Sequence, residues 1–152
     1  MPVANITEAR DIVMGIINTA WAAAAEPAFW PTPGQNWPPP ILWPDDESDE
    51  PDGSKPWAKV ELQHQRGGQS AIGDVGKRRF RAWAVVTVTI YTPNGDGLTT
   101  ADYLATIVQD ALEGRHTPDK VYFRDVRVVD DGTDGPSYKI RVLSNLDYDR
   151  VK

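Results

Sequence analysis

Between Arg79 and Tyr91 the sequence alternates without a break. Phe80, Ala82, Ala84, Val86, Val88 and Ile90 fall on one side of an extended segment, and Arg81, Trp83, Val85, Thr87, Thr89 and Tyr91 on the other. A period of two is the signature of a β-strand, whose successive side chains point to opposite faces. The first set is wholly apolar and has to meet a hydrophobic core. The second is mixed, which suits a partly covered sheet surface. The rest of the chain must therefore supply partner strands and a layer to bury the apolar face.

Four further segments answer that need. Val13, Ile16, Ile17 and Ala20 recur at helical spacing, with Ala9 one turn and Ile6 two turns earlier. Asn5 is placed to cap this helix and Glu8 to close a capping box. Thr7 is a second possible cap, and Pro27 ends the pattern, giving a helix over about 6–24. A second helix begins at Leu98-Thr99 with Thr99 as cap, Asp102 at its third position and Leu98 with Tyr103 as a hydrophobic staple. Its apolar stripe is Leu104, Ile107, Val108, Ala111 and Leu112, and Gly114 stands where a C-terminal cap belongs. Trp57–His64 reads as a strand with Ala58, Val60 and Leu62 facing in and Lys59, Glu61 and Gln63 facing out. Val121–Val129 and Tyr138–Tyr148 flank the turn-rich stretch Asp130–Pro136 and read as a hairpin. Four glycines between Arg66 and Gly76 predict a mobile loop, and Thr92–Gly97 ends the long strand.

Residues 26–57 differ sharply from this body. They hold nine of the thirteen prolines and four of the six tryptophans, Trp30, Trp37, Trp43 and Trp57. Proline fixes φ and lacks an amide proton, so Pro38-Pro39-Pro40 is neither helix nor central strand. Ile41-Leu42-Trp43 is the one plausible short strand, at an edge. Pro44 to Lys55 reads as a solvated loop. Two readings stand: an insertion whose tryptophans fold back on the body, and a segment that reaches a neighbouring subunit. So long a loop is uncommon inside a compact isolated domain. The expected architecture is a single α+β domain over 1–152, with a mostly antiparallel sheet of four to five strands, two helices packed on one face, and the long Pro/Trp-rich loop.

The formal charge of −6 is local. Asp45, Asp46, Glu47, Asp49, Glu50 and Asp52 lie together, and without these six the 22 acids fall to 16 against 16 bases. A charge-balanced body does not resemble a general nucleic-acid binder, which needs a basic excess against phosphate. There is no cysteine, so disulfides and thiolate chemistry are excluded. Ile12–Ala25 is broken by Gly15 and Asn18, has no basic lead, and is too short and polar to span a bilayer. The expectation is a protein made in the cytoplasm, without a membrane partner.

The motifs that carry chemistry fail in detail. Gly73-Asp-Val-Gly76-Lys77-Arg78 has Ala71 and Arg78 where a phosphate loop needs Gly and Ser or Thr, and it leads into a strand rather than a helix N-terminus. Asp130–Gly135 has Gly132 at the third position of a calcium loop and Arg141 at the twelfth, where a bidentate Glu is required. His64 and His116 stand apart, with no paired metal-ligand spacing and no Gly-x-Ser-x-Gly elbow. The acidic run is solvated and self-repelling, not a pocket of perturbed carboxylates. No catalytic, metal or cofactor residues are assigned, and the chain is expected not to be an enzyme. Lys77-Arg78-Arg79-Phe80-Arg81 is the one basic cluster. It is either a solubilising strand entry or a charged patch facing an acidic partner surface or DNA passing through a ring.

The succession of segments resembles a known family. It runs from Ile-Thr-Glu-Ala-Arg at 6–10 and Pro-Asp-Gly-Ser-x-Pro-Trp at 51–57 to Gly-x-x-Gly-x-Arg-Arg-Phe-Arg at 73–81. Tyr-Thr-Pro-x-Gly follows at 91–95, then Asp-Ala-Leu-Glu-Gly-Arg at 110–115 and Tyr-x-Ile-x-Val leading to Tyr-Asp over 138–149. Together these resemble the lambda-type tail-terminator proteins of long-tailed bacteriophages over nearly the whole chain; residues 26–50 are longer and richer in Pro and Trp than the family's usual connection. The resemblance implies a non-catalytic virion protein at the head-proximal end of the tail, present in the host cytoplasm during assembly. It implies a homo-oligomeric ring, a hexamer, that caps the tail tube protein, stops its growth and meets the head-side connector or stopper, with DNA only passing through the lumen. Another head–tail joining protein is the alternative, and a small-ligand or enzymatic domain a remoter one. Closed rings need heterologous contacts, and the expected interface residues are Arg66, Lys77, Arg78, Arg79, Arg81, Trp83, Tyr91, Trp30, Trp37 and Trp43.

Overall fold

The computed structural model describes residues 5–30, 34–35, 37–44, 50–51, 54–71, 79–95, 98–113 and 121–151. The first helix, α1, spans Ile6–Ala23. Asn5 caps it as expected, its side-chain oxygen accepting from the Glu8 amide at 2.8 Å, which satisfies one of the donors a helix start leaves unpaired. Ala9, Val13, Ile17 and Trp21, four residues apart, form the buried stripe. The second helix, α2, spans Leu98–Leu112. It starts one residue before the expected Thr99 cap, so Thr99 lies within its first turn. At the expected staple, Leu98 is 53% exposed, and the Tyr103 ring meets Phe29 and Trp37. Gly114 lies outside the described residues.

The sheet has five strands: β1 (Ile41–Leu42), β2 (Trp57–Ala71), β3 (Arg79–Pro93), β4 (Val121–Asp134) and β5 (Ser137–Val151). Their order is β1-β2-β3-β5-β4. The β1–β2 pair is parallel and the other three are antiparallel. The fold is thus α+β with a mixed sheet. The long alternating strand β3 lies at its centre, between β2 and β5, and Ile41-Leu42 is the expected edge strand.

The main departure from expectation is β2. It does not stop at His64 but pairs with β3 as far as Ala71, through Gly67 and Gly68. Strand pairing uses backbone N–H and C=O groups, so glycine weakens a strand without forbidding it. Register shifts at His64/Arg66 and Gln69/Ala71 absorb the irregularity, as bulges do. The β4–β5 hairpin is likewise longer than expected. Asp134 pairs with Ser137, leaving a two-residue turn that Gly135 opens at φ 59°, a conformation glycine adopts without a steric penalty. Asn94 ties the end of β3 to this turn, its amide donating to the Pro136 carbonyl at 3.0 Å and its side chain to the Gly135 carbonyl at 2.8 Å.

One hydrophobic cluster joins the elements. It contains Val60 and Leu62 of β2, Val86, Val88 and Ile90 of β3, Ile140, Val142, Leu146 and Tyr148 of β5, and the buried stripes of both helices. These are the even-numbered residues of β3 and the residues registered with them. Burying each such aliphatic side chain contributes about 1.5–3 kcal/mol.

The Pro/Trp-rich segment joins the same cluster. Trp30 is 2% exposed, and its ring meets Trp37 edge-on at 4.9 Å. The indole N–H groups of Trp21, Trp30 and Trp37 donate to the carbonyls of Pro39, Gln35 and Ala24 at 2.8, 2.8 and 2.9 Å. The Tyr103 hydroxyl donates to the Ala25 carbonyl at 2.6 Å. Each tryptophan buries an apolar ring while its one polar group finds a backbone acceptor. Among the two readings of this segment, the described tryptophans follow the first and fold back on the body.

Candidate interface on the sheet

The odd-numbered residues of β3 lie on the sheet face opposite the hydrophobic cluster, and the register sets their neighbours. Trp83 stands between Arg66 and Asp147, and Arg81 between Gly68 and Asp149. Arg81 grips Asp149 with two hydrogen bonds, from Nε at 2.9 Å and Nη2 at 3.1 Å. Such a bidentate fork fixes geometry as well as charge. Beside it Asp147 is 4% exposed and accepts from Arg124 Nε at 2.7 Å, while the same guanidinium lies 6.0 Å from the Tyr122 ring centre. Trp83 is half-buried, and a Cβ added at Gly68 would sit 4.0 Å from its ring. This end of the face thus alternates aromatic rings with internally paired charges.

The other end is built differently. Trp57 and Tyr91, directly paired across the strands, stack at 4.1 Å with 7° between planes. Burial first, and then the carboxylates of Glu50, Asp134, Glu61 and Asp131, push the Tyr91 phenol above its ordinary pKa. A polar trough of about 350 Å³ lies alongside, walled by Glu61, Gln63, Thr87, Thr89, Tyr91, Asp131, Lys139 and Arg141. Its charges are mostly matched: Arg141 Nη2 donates to Asp131 at 3.1 Å, and Lys59 lies 3.5 Å from Glu50 and 4.0 Å from Glu61.

Of the expected interface residues, the fold brings Arg81, Trp83 and Tyr91 to this one face; Arg66 and Arg79 are placed by backbone register alone, Arg66 opposite Trp83 and Arg79 opposite Ala71. Lys77 and Arg78 lie outside the described residues. Trp30 and Trp37 are elsewhere, in the packing around α2, and Trp30 has almost no surface left to offer. Trp43 is half-buried and borders a shallow depression on α1 with Met14, Gly15 and Asn18. The residues that sequence reasoning missed are Trp57, Tyr122, Arg124, Asp147 and Asp149. The odd positions of the last strand carried the signal, since Asp147 and Asp149 share the parity opposite Tyr148.

Among the described residues no group of three His, Cys, Asp or Glu side chains is arranged to hold a metal, and no helix is long and apolar enough to cross a membrane. No family model and no curated protein matches the sequence. Fourteen solved chains match it. One of them, which carries a sequence designation and no functional name, aligns with a TM-score of 0.56 at 16% identity, over 89% of this chain and 94% of that one. That likeness establishes a shared fold and nothing about activity.

Proposed function

We propose that this chain is a non-catalytic subunit of a phage tail, one that caps the tail tube as a ring, halts tube growth and offers a surface to the head-side connector. The observation that carries the reading is the second face of the sheet. It is not part of the hydrophobic cluster, and it presents half-buried Trp83, Val85, Tyr91 and Leu143 among fixed ion pairs. Aromatic residues and arginines set among ion pairs are the composition of protein interfaces. The sequence resemblance supplies the setting, and the solved chain of the same fold spans nearly the same length.

Electron microscopy of the purified protein tests the reading. A sixfold ring about one tube wide is the expected result, and a compact monomer at high concentration overturns it. Deleting the gene then separates the two virion roles. Overlong, headless tails mark a terminator, whereas tails of normal length that fail to join heads mark a joining protein. A charge swap tests the face itself. Arg81→Glu is expected to reduce ring formation, and adding Asp149→Arg, which restores the internal pair in reverse, is expected not to recover it. Full recovery would mean that the pair serves only the fold.

A further inference from the structure

The polar trough beside Tyr91 has β3 as its floor and β2 and β5 as its walls, since β3 lies between those two strands. The register sets the arrangement. Thr87 stands opposite Glu61, Thr89 opposite Arg141, and Tyr91 opposite Lys139. Its volume, about 350 Å³, is at the small end for a ligand site. The walls are open to solvent: the side chains of Glu61, Arg141 and Lys139 are 48%, 37% and 29% exposed. Thr89, on the floor, is buried.

The ionic groups of the trough already have partners in the chain. Arg141 Nη2 donates to Asp131 at 3.1 Å. Lys139 lies 3.8 Å from Asp134 and 5.8 Å from the Tyr91 ring centre, and Glu61 lies 4.0 Å from Lys59. The two acids and two bases that line the trough cancel, so its charge does not call for an ion. The neutral groups differ. Among the described residues no hydrogen bond engages the side chains of Gln63, Thr87 and Thr89 or the Tyr91 hydroxyl. Each of these groups both donates and accepts. No aliphatic hydrocarbon side chain forms the walls, so an apolar ligand would gain little there and would leave polar groups unpaired.

We propose that this trough is a binding site for a neutral, hydroxyl-rich ligand, a single sugar ring. The ligand has to donate on the Glu61 side, accept on the Arg141 and Lys139 side, and do either over the hydroxyl floor. A sugar carries a group that both donates and accepts on nearly every ring carbon. A carboxamide offers two donors and one carbonyl oxygen, too few for groups spread over β2, β3 and β5. A zwitterion would have to displace carboxylates that Arg141 and Lys139 already face. Ligand hydroxyls need no such exchange, because a paired carboxylate keeps free lone pairs and a paired guanidinium keeps free N–H groups. The spacing fits as well. β2 and β5 stand about 10 Å apart across β3, and side chains leaning in from both leave room for one ring. The site stands whether or not the chain caps a tube.

The test follows the backbone amides of Thr87, Thr89 and Arg141 by NMR in the full-length protein. Glucose, galactose, mannose and N-acetylglucosamine are titrated in turn, with glycine as the zwitterionic probe and acetamide as the carboxamide probe. The expected result is a saturable shift at these amides with at least one sugar, at a Kd on the order of 1 mM, and none with glycine or acetamide. Thr87→Val keeps the shape of a half-buried side chain and removes one hydroxyl, so it should weaken binding about fivefold with an unchanged melting temperature. Gln63→Leu, at an exposed position, should weaken it similarly. No saturable shift with any of the sugars, saturation by glycine or acetamide alone, or undiminished sugar binding in both variants overturns the proposal.

Discussion

Residues 26–57 and residues 66–71 look alike as sequence, since each is rich in the residues that interrupt regular structure. The fold treats them in opposite ways. Among its described residues the proline-rich stretch forms the two-residue strand β1 before β2 begins at Trp57, yet it places Trp30 and Trp37 against the body and ties three indole N–H groups, Trp21's included, to nearby carbonyls. The glycine-rich stretch has little to bury, yet it continues β2 beside β3 to Ala71. Side chains fix the first region and backbone pairing fixes the second. Proline removes the donors a ladder needs, so side chains must do the anchoring there. Glycine keeps its donor and acceptor, so the ladder can run on without side chains.

The largest test of this contrast is Trp30→Ala. The ring is 2% exposed and packs on Trp37, and truncating a buried tryptophan costs about 3–5 kcal/mol. Urea unfolding followed by far-ultraviolet circular dichroism should show a loss of that size in a single transition. A loss below about 1 kcal/mol would mean that the Pro/Trp-rich segment is an appendage rather than part of the core.

Tyr148→Phe is the next largest. It removes the hydroxyl that lies 2.7 Å from His64 Nε2 and, since His64 Nδ1 has no partner among the described residues either, leaves both ring nitrogens without one, at a cost of about 1–3 kcal/mol. Its counterpart is a pH dependence. The folded protein holds His64 below its ordinary pKa of 6.5, so the unfolded chain binds more protons between 6.5 and the depressed folded value. The stability that comes from keeping this ring neutral is complete above about pH 6.5 and is lost as the pH falls through that window. Thermal melts should therefore drop between pH 7.5 and 5.5, and His64→Gln should drop less. An equal drop in both would remove His64 as the cause.

Much of the fold was legible because it rests on local periodicity. Ala9, Val13 and Ile17 of the expected helical stripe, the alternation of β3 and the Asn5 cap each need only neighbouring residues, although Ile6 of the same pattern is 48% exposed. What was hidden depends on contacts distant in sequence. Arg81 meets Asp149 only because β5 rather than β4 lies beside β3, and nothing near Arg81 encodes that order. The interface face was half-legible for the same reason: its β3 half is set by parity, its β5 half by topology. The fate of Trp30 and Trp37 depended on which carbonyls lay within reach. Asp125, held at φ 56° where the β4 register shifts between Arg124 and Arg127, gave no sign at all in a segment that reads as plain strand.

The smallest effect is the most direct test of the glycine-rich half of the contrast. Gly68 lies in β2 opposite Arg81. A Cβ there would meet the Trp83 ring at 4.0 Å, an ordinary contact, and no left-handed backbone angle stands in the way. Gly68→Ala should therefore be tolerated and should stabilise the protein by about 0.4–1 kcal/mol, because alanine leaves the unfolded chain fewer conformations to lose. Gly132, held at φ 78° with open space around it, is the control. Alanine there meets no neighbour but must adopt a left-handed conformation, at a cost of about 1–2 kcal/mol. If both variants lose stability alike, the glycines of β2 are set by some constraint other than the ladder, and backbone pairing alone does not account for the strand beyond His64. If only Gly132→Ala does, residues 66–71 are strand by pairing and need glycine no more than any other edge of the sheet does.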